Sequence, residues 1–296
     1  MAVTDTLLSP RTFLWSLRVV WVALAVALGI AISRAVHDHG TSRVLAPVVW
    51  WAVVAVVVVA LVVPSATSLT AVRLLVPATI PAALAALVGG APAGAGVVAL
   101  ALAMVATLVS LSGEAGEALV QGSAYGDERR FPLRVPAPML LPVLLSWVLW
   151  CTATLGAVVL LGAQRWVVGV VVGVLAAGLT WLLWSRFHML SRRWLVLVPA
   201  GVVVHDALLL GETLMVQRPN VALARLALAD TEAADLTGPA AGHAVEVSVH
   251  EMVLAVFPSS RDHPTGRAIH VQSFLVGPSR PGRALQAMSS HKLPVG

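Results

Sequence analysis

The chain has 296 residues, of which 58% are hydrophobic and 11% are charged, and its mean hydropathy is +0.90. Such values exclude an ordinary soluble globular domain and indicate a protein that crosses a membrane several times. The formal charge of +5 is spread thinly along the chain rather than gathered on one stripe, so no nucleic acid is expected among its partners.

Six apolar runs are long enough to cross a bilayer core of about 30 Å, which takes roughly 20 helical residues. They cover residues 13–35, 44–63, 70–88, 95–112, 137–162 and 166–185. No small-x-small cleavage site clearly ends the first run, so we expect it to remain as a membrane helix rather than to be removed as a signal peptide. Residues 1–187 are therefore predicted to form an α-helical transmembrane bundle of about six helices.

The third run contains Pro77 and Pro81, which predict a kinked helix. Interrupted helices line substrate sites in some transporters, whereas a kink between packed helices is the more frequent explanation. No Asp or Glu falls inside any run, although a proton-coupled transporter would be expected to bury a carboxylate. Arg18 and Arg73 lie within the runs, and each is close enough to an end for its side chain to reach the interface.

The densest charged segment is SAYGDERRFPLRVP, residues 123–136, between the fourth and fifth apolar runs. Its arginines are Arg129, Arg130 and Arg134. Asp127 and Glu128 precede them and can neutralise part of the positive charge. The pattern predicts an anchor or docking surface that lies along the membrane rather than an active site.

Arginine is unevenly divided between the two sides that six spans define. One side holds Arg11, Arg73, Arg129, Arg130, Arg134, Arg186, Arg192 and Arg193, and the other holds Arg34, Arg43 and Arg165. Since cytoplasmic loops retain the basic residues, the division predicts a multi-pass protein of the cell (plasma) membrane with both termini in the cytoplasm.

Beyond Arg193 the apolar runs become short. WLVLV, GVVVHD and LLLGETLMV are rich in Val and Leu and are broken by Pro and Gly, as strands are. HAVEVSVHE alternates valine with polar residues, and AIHVQSFLV begins with the same alternation after a turn, so the two predict a β-hairpin. GPSRPGRALQAM predicts a C-terminal helix with Ser279 as its N-cap. Residues 188–296 are therefore expected to form a small cytoplasmic β-rich domain.

About seven short strands followed by one helix, entered through RRWLVLVPAGVVVHD, are similar in order to the bacterial pleckstrin-homology-like (PH-like) domains that often follow transmembrane segments. The resemblance covers residues 190–296 and implies a PH-like fold for them. The whole chain also resembles uncharacterised multi-span membrane proteins of actinobacteria, which carry an arginine-rich loop like GDERRFPLR ahead of the last helical hairpin. That second resemblance implies no activity.

Motifs for catalysis and for metal binding are missing. The chain has no Walker-type loop, no GxSxG elbow and no HExxH sequence, so the common nucleotide and hydrolase signatures do not apply. HDH at 37–39 and the pair His205–Asp206 lack the three or four spaced ligands of a zinc site. Cys151 is the sole cysteine and lies in an apolar run, where it is expected to pack rather than react. No catalytic residue, metal or cofactor is assigned.

The function that we favour is a non-catalytic integral membrane scaffold or adaptor. Its cytoplasmic domain would bind a partner protein in an envelope complex, or the inner-leaflet surface. Each basic residue near an anionic leaflet contributes about 1 kcal/mol, and a cluster of them would orient the domain. The residues expected at that surface are Arg129, Arg130, Arg134, Arg192 and Arg193.

Two alternatives stay open. A transporter or channel subunit would use the kinked third run at Pro77 and Pro81. A membrane-embedded enzyme acting at the cytoplasmic interface would use Asp127 or Glu128 as its acid or base. The GVVVG segment at 169–173 has the small-xxx-small spacing of close helix packing, which also leaves a homo-oligomer open.

Overall fold

The computed structural model describes residues 10–37, 40–229, 231–259 and 266–296, and the chain divides into two compact units. The first unit takes in the described residues up to Leu119 together with Val143–Phe187. The second takes in Val120–Pro142 and His188–Gly296. The segment between the fourth and fifth spans therefore belongs with the C-terminal residues, which a single boundary near residue 187 did not anticipate.

Helices account for the first unit. They are α1 (Pro10–Ala35), α2 (Ser42–Val62), α3 (Ala66–Leu75), α4 (Thr79–Val88), α5 (Ala93–Leu111), α6 (Gly113–Gln121), α7 (Ala137–Gly162) and α8 (Trp166–Ser191). Within the described residues, six helices are long and apolar enough to cross a membrane, with α3 and α4 together forming the third. The six predicted spans are thereby confirmed by length and composition.

The spanning helices bury one stripe and expose another. On α1, Leu17, Trp21, Leu24 and Leu28 recur at helical spacing and are each at most 1% exposed. They belong to a helix that packs against α5, whose buried face is made of alanines and a glycine, and small residues allow helices to approach closely. Large apolar side chains cover the outer faces, as Leu108 at 73% exposure illustrates. An apolar exterior of this extent suits lipid rather than water.

The third span is interrupted at Val76–Ala78. Pro77 has no N–H, so the carbonyl of Arg73 loses its usual helical donor. The next amides bond three residues back, with Thr79 N–H donating to the Val76 carbonyl at 3.1 Å. Pro81 lies in the first turn of α4, where a missing N–H is tolerated. The interruption therefore falls at Pro77, while Pro81 continues the helix.

The strands belong to the second unit. They are β1 (Arg129–Pro132), β2 (Trp194–Val198), β3 (Gly201–His205), β4 (Leu214–Gln217), β5 (Val221–Leu226), β6 (Ala234–Asp235), β7 (Val245–Phe257) and β8 (Arg267–Val276), followed by helix α9 (Pro281–Ser290). In the described part of the chain they form two four-stranded sheets with the orders β1-β2-β3-β4 and β5-β7-β8-β6. The predicted hairpin is confirmed, since β7 pairs antiparallel with β8 and Val247 lies opposite Phe274.

Strand β1 replaces the predicted surface segment. Arg129–Pro132 pairs antiparallel with β2, and Phe131 lies opposite Leu195. Phe131 and Leu133 are 3% and 5% exposed, whereas Arg130, just before Phe131, is only partly buried. Because side chains alternate along a strand, this short segment buries one face although its sequence reads as a charged loop.

The core of the second unit lies between the two sheets and α9. Leu195, Phe274 and Met288 are each fully buried, and burial of such a side chain contributes about 1.5–3 kcal/mol. The predicted N-cap Ser279 is wrong, because the helix is entered through Arg280 with Pro281 in its first turn. The backbone N–H of Ser279 instead donates to the carbonyl of Pro132 at 2.8 Å.

Candidate functional site

The five arginines expected to form one surface lie in three different environments. Arg129 and Arg192 are exposed. Arg130 and Arg134 are partly buried and each has a hydrogen-bond partner. Arg193 is 1% exposed, so it has no area to offer to a lipid surface or a partner. The segment and the start of β2 lie beside each other because β1 pairs with β2, but only part of their charge is exposed.

Arg193 is held by a buried carboxylate. Its Nε lies 2.8 and 2.9 Å from the two carboxylate oxygens of Asp206, and its Nη2 lies 2.7 Å from Oδ2. Both side chains are 1% exposed. Asp206 Oδ1 also accepts the backbone N–H groups of Leu208 and Leu209 at 3.1 and 3.3 Å. A buried pair with these further bonds has its charges compensated, and its role is structural.

Arg134 connects the residues after β1 to other parts of the second unit through hydrogen bonds. Its N–H donates to the Gly277 carbonyl at 2.8 Å, and its carbonyl accepts Nη1 of Arg193 at 2.7 Å. Its Nη2 donates to the carbonyl of His243. Burial lowers the pKa of the Arg134 guanidinium from its ordinary value. Arg134 therefore positions the chain rather than presenting a free charge.

Arg130 lies on the outer face of the first sheet, in a cluster that the sequence did not indicate. Its guanidinium contacts Glu128 at 2.7 Å and lies 5.4 Å from the ring centroid of Trp194. Trp194 in turn stacks on His205, with ring centroids 5.4 Å apart and planes inclined by 22°. His205 Nδ1 lies 3.1 Å from the hydroxyl of Thr213. Each neighbour comes from a different strand or turn, so only sheet pairing brings them together.

The surroundings of His205 lower its pKa and so favour the neutral ring. Its pKa is lowered mainly by burial and next by the charge of Arg192, with Arg130 adding to the effect and Asp206 opposing it. Its Nε2 is buried and makes no hydrogen bond within the part of the chain that the structure describes. A neutral, stacked imidazole of this kind fits packing better than proton transfer.

The carboxylates proposed for an enzyme do not show the environment that an acid–base group needs. The hydrogen bonds from Arg130 hold the pKa of Glu128 below its ordinary value, and a general acid at neutral pH requires the opposite shift. Asp127 is exposed. Both lie at the surface of the second unit, and Glu128 is bound to arginine as a solvated ion pair would be.

The histidines do not assemble a metal centre in the described residues, where no group of three or more His, Cys, Asp or Glu side chains is placed to hold an ion. His205 contacts Trp194 and Thr213. Asp38 and His39 of the HDH segment lie outside the described residues.

The first unit contains a cavity of about 640 Å³. Its walls come from the last turn of α1, the first half of α2, the interrupted third span and the second half of α7. The lining is mostly Ala, Val, Leu and Ile, with hydroxyls from Ser42, Thr79 and Thr154. This volume lies within the range of roughly 300–1,000 Å³ that small-molecule sites occupy. The cavity is a candidate binding site of the first unit.

A stripe of small residues leaves this space open. On α4 the lining residues are Thr79, Ala82, Ala85, Ala86 and Gly89, which recur at helical spacing. The sequence carries this signal as PAALAALVGG, where alanines occupy the face that larger residues fill elsewhere. Proline identified the break in the third span, but the alanine stripe identifies the cavity.

Tryptophans satisfy the polar groups near the interruption. Trp147 Nε1 on α7 donates to the Leu74 carbonyl at 3.1 Å, a carbonyl that the break frees from the helix. Trp150 Nε1 donates to the hydroxyl of Thr180 at 2.8 Å. The Nε of Arg73 is buried and makes no hydrogen bond within the described residues. An ionisable side chain inside a span is a candidate for function.

The GVVVG segment packs inside the chain. A side chain on Gly169 would come within 2.8 Å of Leu161, and one on Gly173 within 3.9 Å of Ala157. Both neighbours lie on α7. The small-xxx-small spacing therefore serves the α7–α8 hairpin.

Comparison of the chain with protein-family models, with curated proteins and with solved structures finds no match. Any function assigned to the chain therefore rests on its residues and their geometry.

Proposed function

We propose that the chain is a non-catalytic scaffold or adaptor of the cell membrane. Its six helices span the bilayer, both termini lie in the cytoplasm, and its β-rich unit binds a partner protein or the inner-leaflet surface. The division of arginine between the two sides supports this orientation. The resemblance to actinobacterial membrane proteins, which carries no activity, is compatible with it.

The observation that carries the proposal is the connectivity of the β-rich unit. The chain passes between the two units at Leu119–Val120, at Pro142–Val143 and at Phe187–His188. These points fall within α6, α7 and α8. Three stretches of chain therefore join the β-rich unit to the helical unit. A unit attached in this way to helices that can span a membrane is suited to bind a partner at the membrane.

We also propose that the β-rich unit is PH-like. Two sheets that enclose one core, with a C-terminal helix packed against it, support this assignment. Residues 221–226 form strand β5 rather than a helix, as the element order of that family requires. Two features depart from the expected pattern: β1 comes from between two spans, and β6 pairs parallel with β8.

Exposed arginine gives this unit its charge toward an anionic surface or partner. Arg129 and Arg192 are exposed and flank the β1–β2 pair. Each contributes about 1 kcal/mol near an anionic leaflet. Arg130 adds a partly compensated charge, since Glu128 lies beside it.

The test is recovery of a partner from the native membrane. The full chain is tagged, extracted in mild detergent and analysed by mass spectrometry, alongside Arg129→Gln/Arg192→Gln. The control is Arg218→Gln/Arg267→Gln, which removes the same charge from exposed positions on other parts of the unit. A stoichiometric partner lost only in the first variant supports the adaptor function. Equal recovery in all three samples contradicts the role of these arginines, and recovery of the protein alone contradicts the protein-partner half of the proposal.

A transporter subunit is the second candidate, and the interrupted third span favours it. The break at Pro77 lines the cavity through Leu75, Ala78 and Thr79, and the buried Nε of Arg73 lies one turn before it. This candidate predicts solute flux in reconstituted vesicles that falls in Pro77→Ala, which restores an N–H for the Arg73 carbonyl. Pro81→Ala is the matched control, because Pro81 does not break the helix.

A further inference from the structure

We propose that the cavity of the helical unit holds one hydrocarbon chain of an anionic membrane lipid. This site goes beyond the scaffold function and does not depend on it. All of the cavity's lining residues belong to the first unit, so the site is formed by the spanning helices alone.

The shape of the cavity fits a chain. Its lining along α7 runs from Trp150 to Gly162, which is about 18 Å at 1.5 Å per residue. Half of a bilayer core of about 30 Å has nearly the same depth. The stripe on α4 runs alongside from Ala78 to Gly89. The cavity is therefore a slot about one leaflet deep rather than a round pocket.

The chemistry of the walls favours an apolar occupant over an ion. No charged side chain lines the slot, and its hydroxyls are few. Thr79 Oγ1 donates to the Val76 carbonyl at 2.6 Å, and Thr154 Oγ1 makes no hydrogen bond within the described residues. The volume is about 20 times the ~30 Å³ that one water molecule takes in the liquid. A mostly apolar space of this size suits an apolar molecule, and the bilayer supplies hydrocarbon chains.

The end of the slot supplies positive charge for a headgroup. Ala35, Ser42 and Gln164 line that end, and each is followed or preceded directly by an exposed arginine. The three arginines are Arg34, Arg43 and Arg165. Gln164 Nε2 donates to Thr41 Oγ1 at 3.3 Å, so the two connections that carry these charges meet there. Arginine is the side chain that best matches a phosphate group. Three of them favour a headgroup of net negative charge over a zwitterionic one, since the zwitterionic headgroup brings its own positive charge.

Cys151 provides a direct readout in the wild-type protein. It is the sole cysteine, lines the inner part of the slot and is 5% exposed. Because a packed thiol reacts slowly, the protein is stripped of lipid by extended washing in detergent and treated with excess N-ethylmaleimide at about pH 9, where more of the thiol is ionised, and labelling is followed by intact mass. Added phosphatidylglycerol is expected to slow labelling at least fivefold, whereas glycerol phosphate without a chain leaves the rate unchanged. Protection by glycerol phosphate would place a free phosphate at the site and overturn the proposal.

A second measurement uses variants that fill the slot. Ala82→Trp and Ala46→Trp enter from opposite walls, and Ala101→Trp on the exposed face of α5 is the control. Native mass spectrometry of the full chain is expected to show one retained lipid in wild type and in the control, and at least tenfold less in both slot variants. Equal retention in all four proteins contradicts the site. If either slot variant fails to fold, the labelling measurement still decides.

The role of the three arginines in headgroup binding is tested with a separate variant. Arg34→Gln/Arg43→Gln/Arg165→Gln is expected to keep one lipid but to lose the preference for phosphatidylglycerol over phosphatidylcholine in mixed nanodiscs. The control Arg186→Gln/Arg218→Gln/Arg267→Gln removes equal charge from exposed arginines that lie outside the lining and outside the Arg129 and Arg192 surface. An unchanged preference in the first triple variant overturns the anionic assignment.

Discussion

Arg193 and Asp206 form an ion pair with both side chains 1% exposed and a shortest N–O distance of 2.7 Å. The arginine lies just before β2 and the aspartate just after β3, while the carbonyl of Arg134 accepts a further bond from the same guanidinium. One buried charge thus ties together three segments that are up to about 70 residues apart in sequence. The start of the C-terminal region and the end of the inter-span segment are joined by this contact.

Asp206→Asn is expected to destabilise the second unit by about 3–5 kcal/mol, because it leaves the charge of Arg193 buried without a counterion. Urea unfolding of the full chain in mild detergent measures the loss. Glu212→Gln, at an exposed position in the same turn region, serves as the control and is expected to change stability by less than about 0.5 kcal/mol. Equal midpoints for the two variants would contradict the structural role of the pair.

His205 predicts a loss of stability on acidification. Its folded pKa lies below the ordinary value, so below about pH 6.5 the unfolded state binds more protons than the folded state. Stability is therefore complete above that pH and falls as the pH is lowered through the folded pKa. Melting temperatures between pH 7.5 and 5.5 test this, and His205→Gln is expected to flatten the decline. His250→Gln, which alters an exposed histidine, should leave it unchanged.

Gly201→Ala is expected to destabilise the first sheet by at least about 1–3 kcal/mol, the usual scale of local backbone strain. Gly201 has a φ of +154°, and a Cβ there would lie 2.0 Å from the carbonyl oxygen of Val216. Gly211→Ala is the control, because its Cβ would make only ordinary contacts at 3.5 Å. A difference of less than about 0.5 kcal/mol between the two in urea unfolding would be within the range of ordinary surface changes and would contradict the expectation.

Trp147→Phe is expected to cost about 1 kcal/mol, because it removes the donor to the Leu74 carbonyl that the break in the third span leaves free. The measurement is the thermal midpoint of the protein in detergent. Trp181→Phe, at a side chain that is 84% exposed on α8, controls for the loss of an indole. If the control lowers the midpoint as much as the test variant, the bond makes no specific contribution.

The six candidate spans could be predicted because each one is a continuous apolar run in the local sequence. About 20 apolar residues in succession have few alternatives to a membrane helix, so six runs became six helices with ends moved by a few residues. The β7–β8 hairpin was equally readable, since Val245, Val247 and Val249 alternate with polar residues beside a turn. The start of α9 was predicted less well. Ser279 resembles an N-cap, but its backbone N–H donates to the carbonyl of Pro132 in β1.

Other features were hidden because they depend on contacts between distant parts of the chain. Strand β1 is four residues long, and its partner β2 begins about 60 residues later, so a local pattern shows only a charged loop. The burial of Arg193 depends in the same way on Asp206. The cavity depends on which helix faces the alanine stripe of α4, and that facing is a property of packing.

The sequence by itself determined that the chain has six helices long and apolar enough to cross a membrane, followed by a β-rich C-terminal region, because hydrophobic length and alternation are local properties of the chain. Only the tertiary structure decided which arginines remain exposed, which segment completes the first sheet and where the slot lies. Those outcomes follow from the pairing of strands and the facing of helices, whose energies come from residues far apart in sequence.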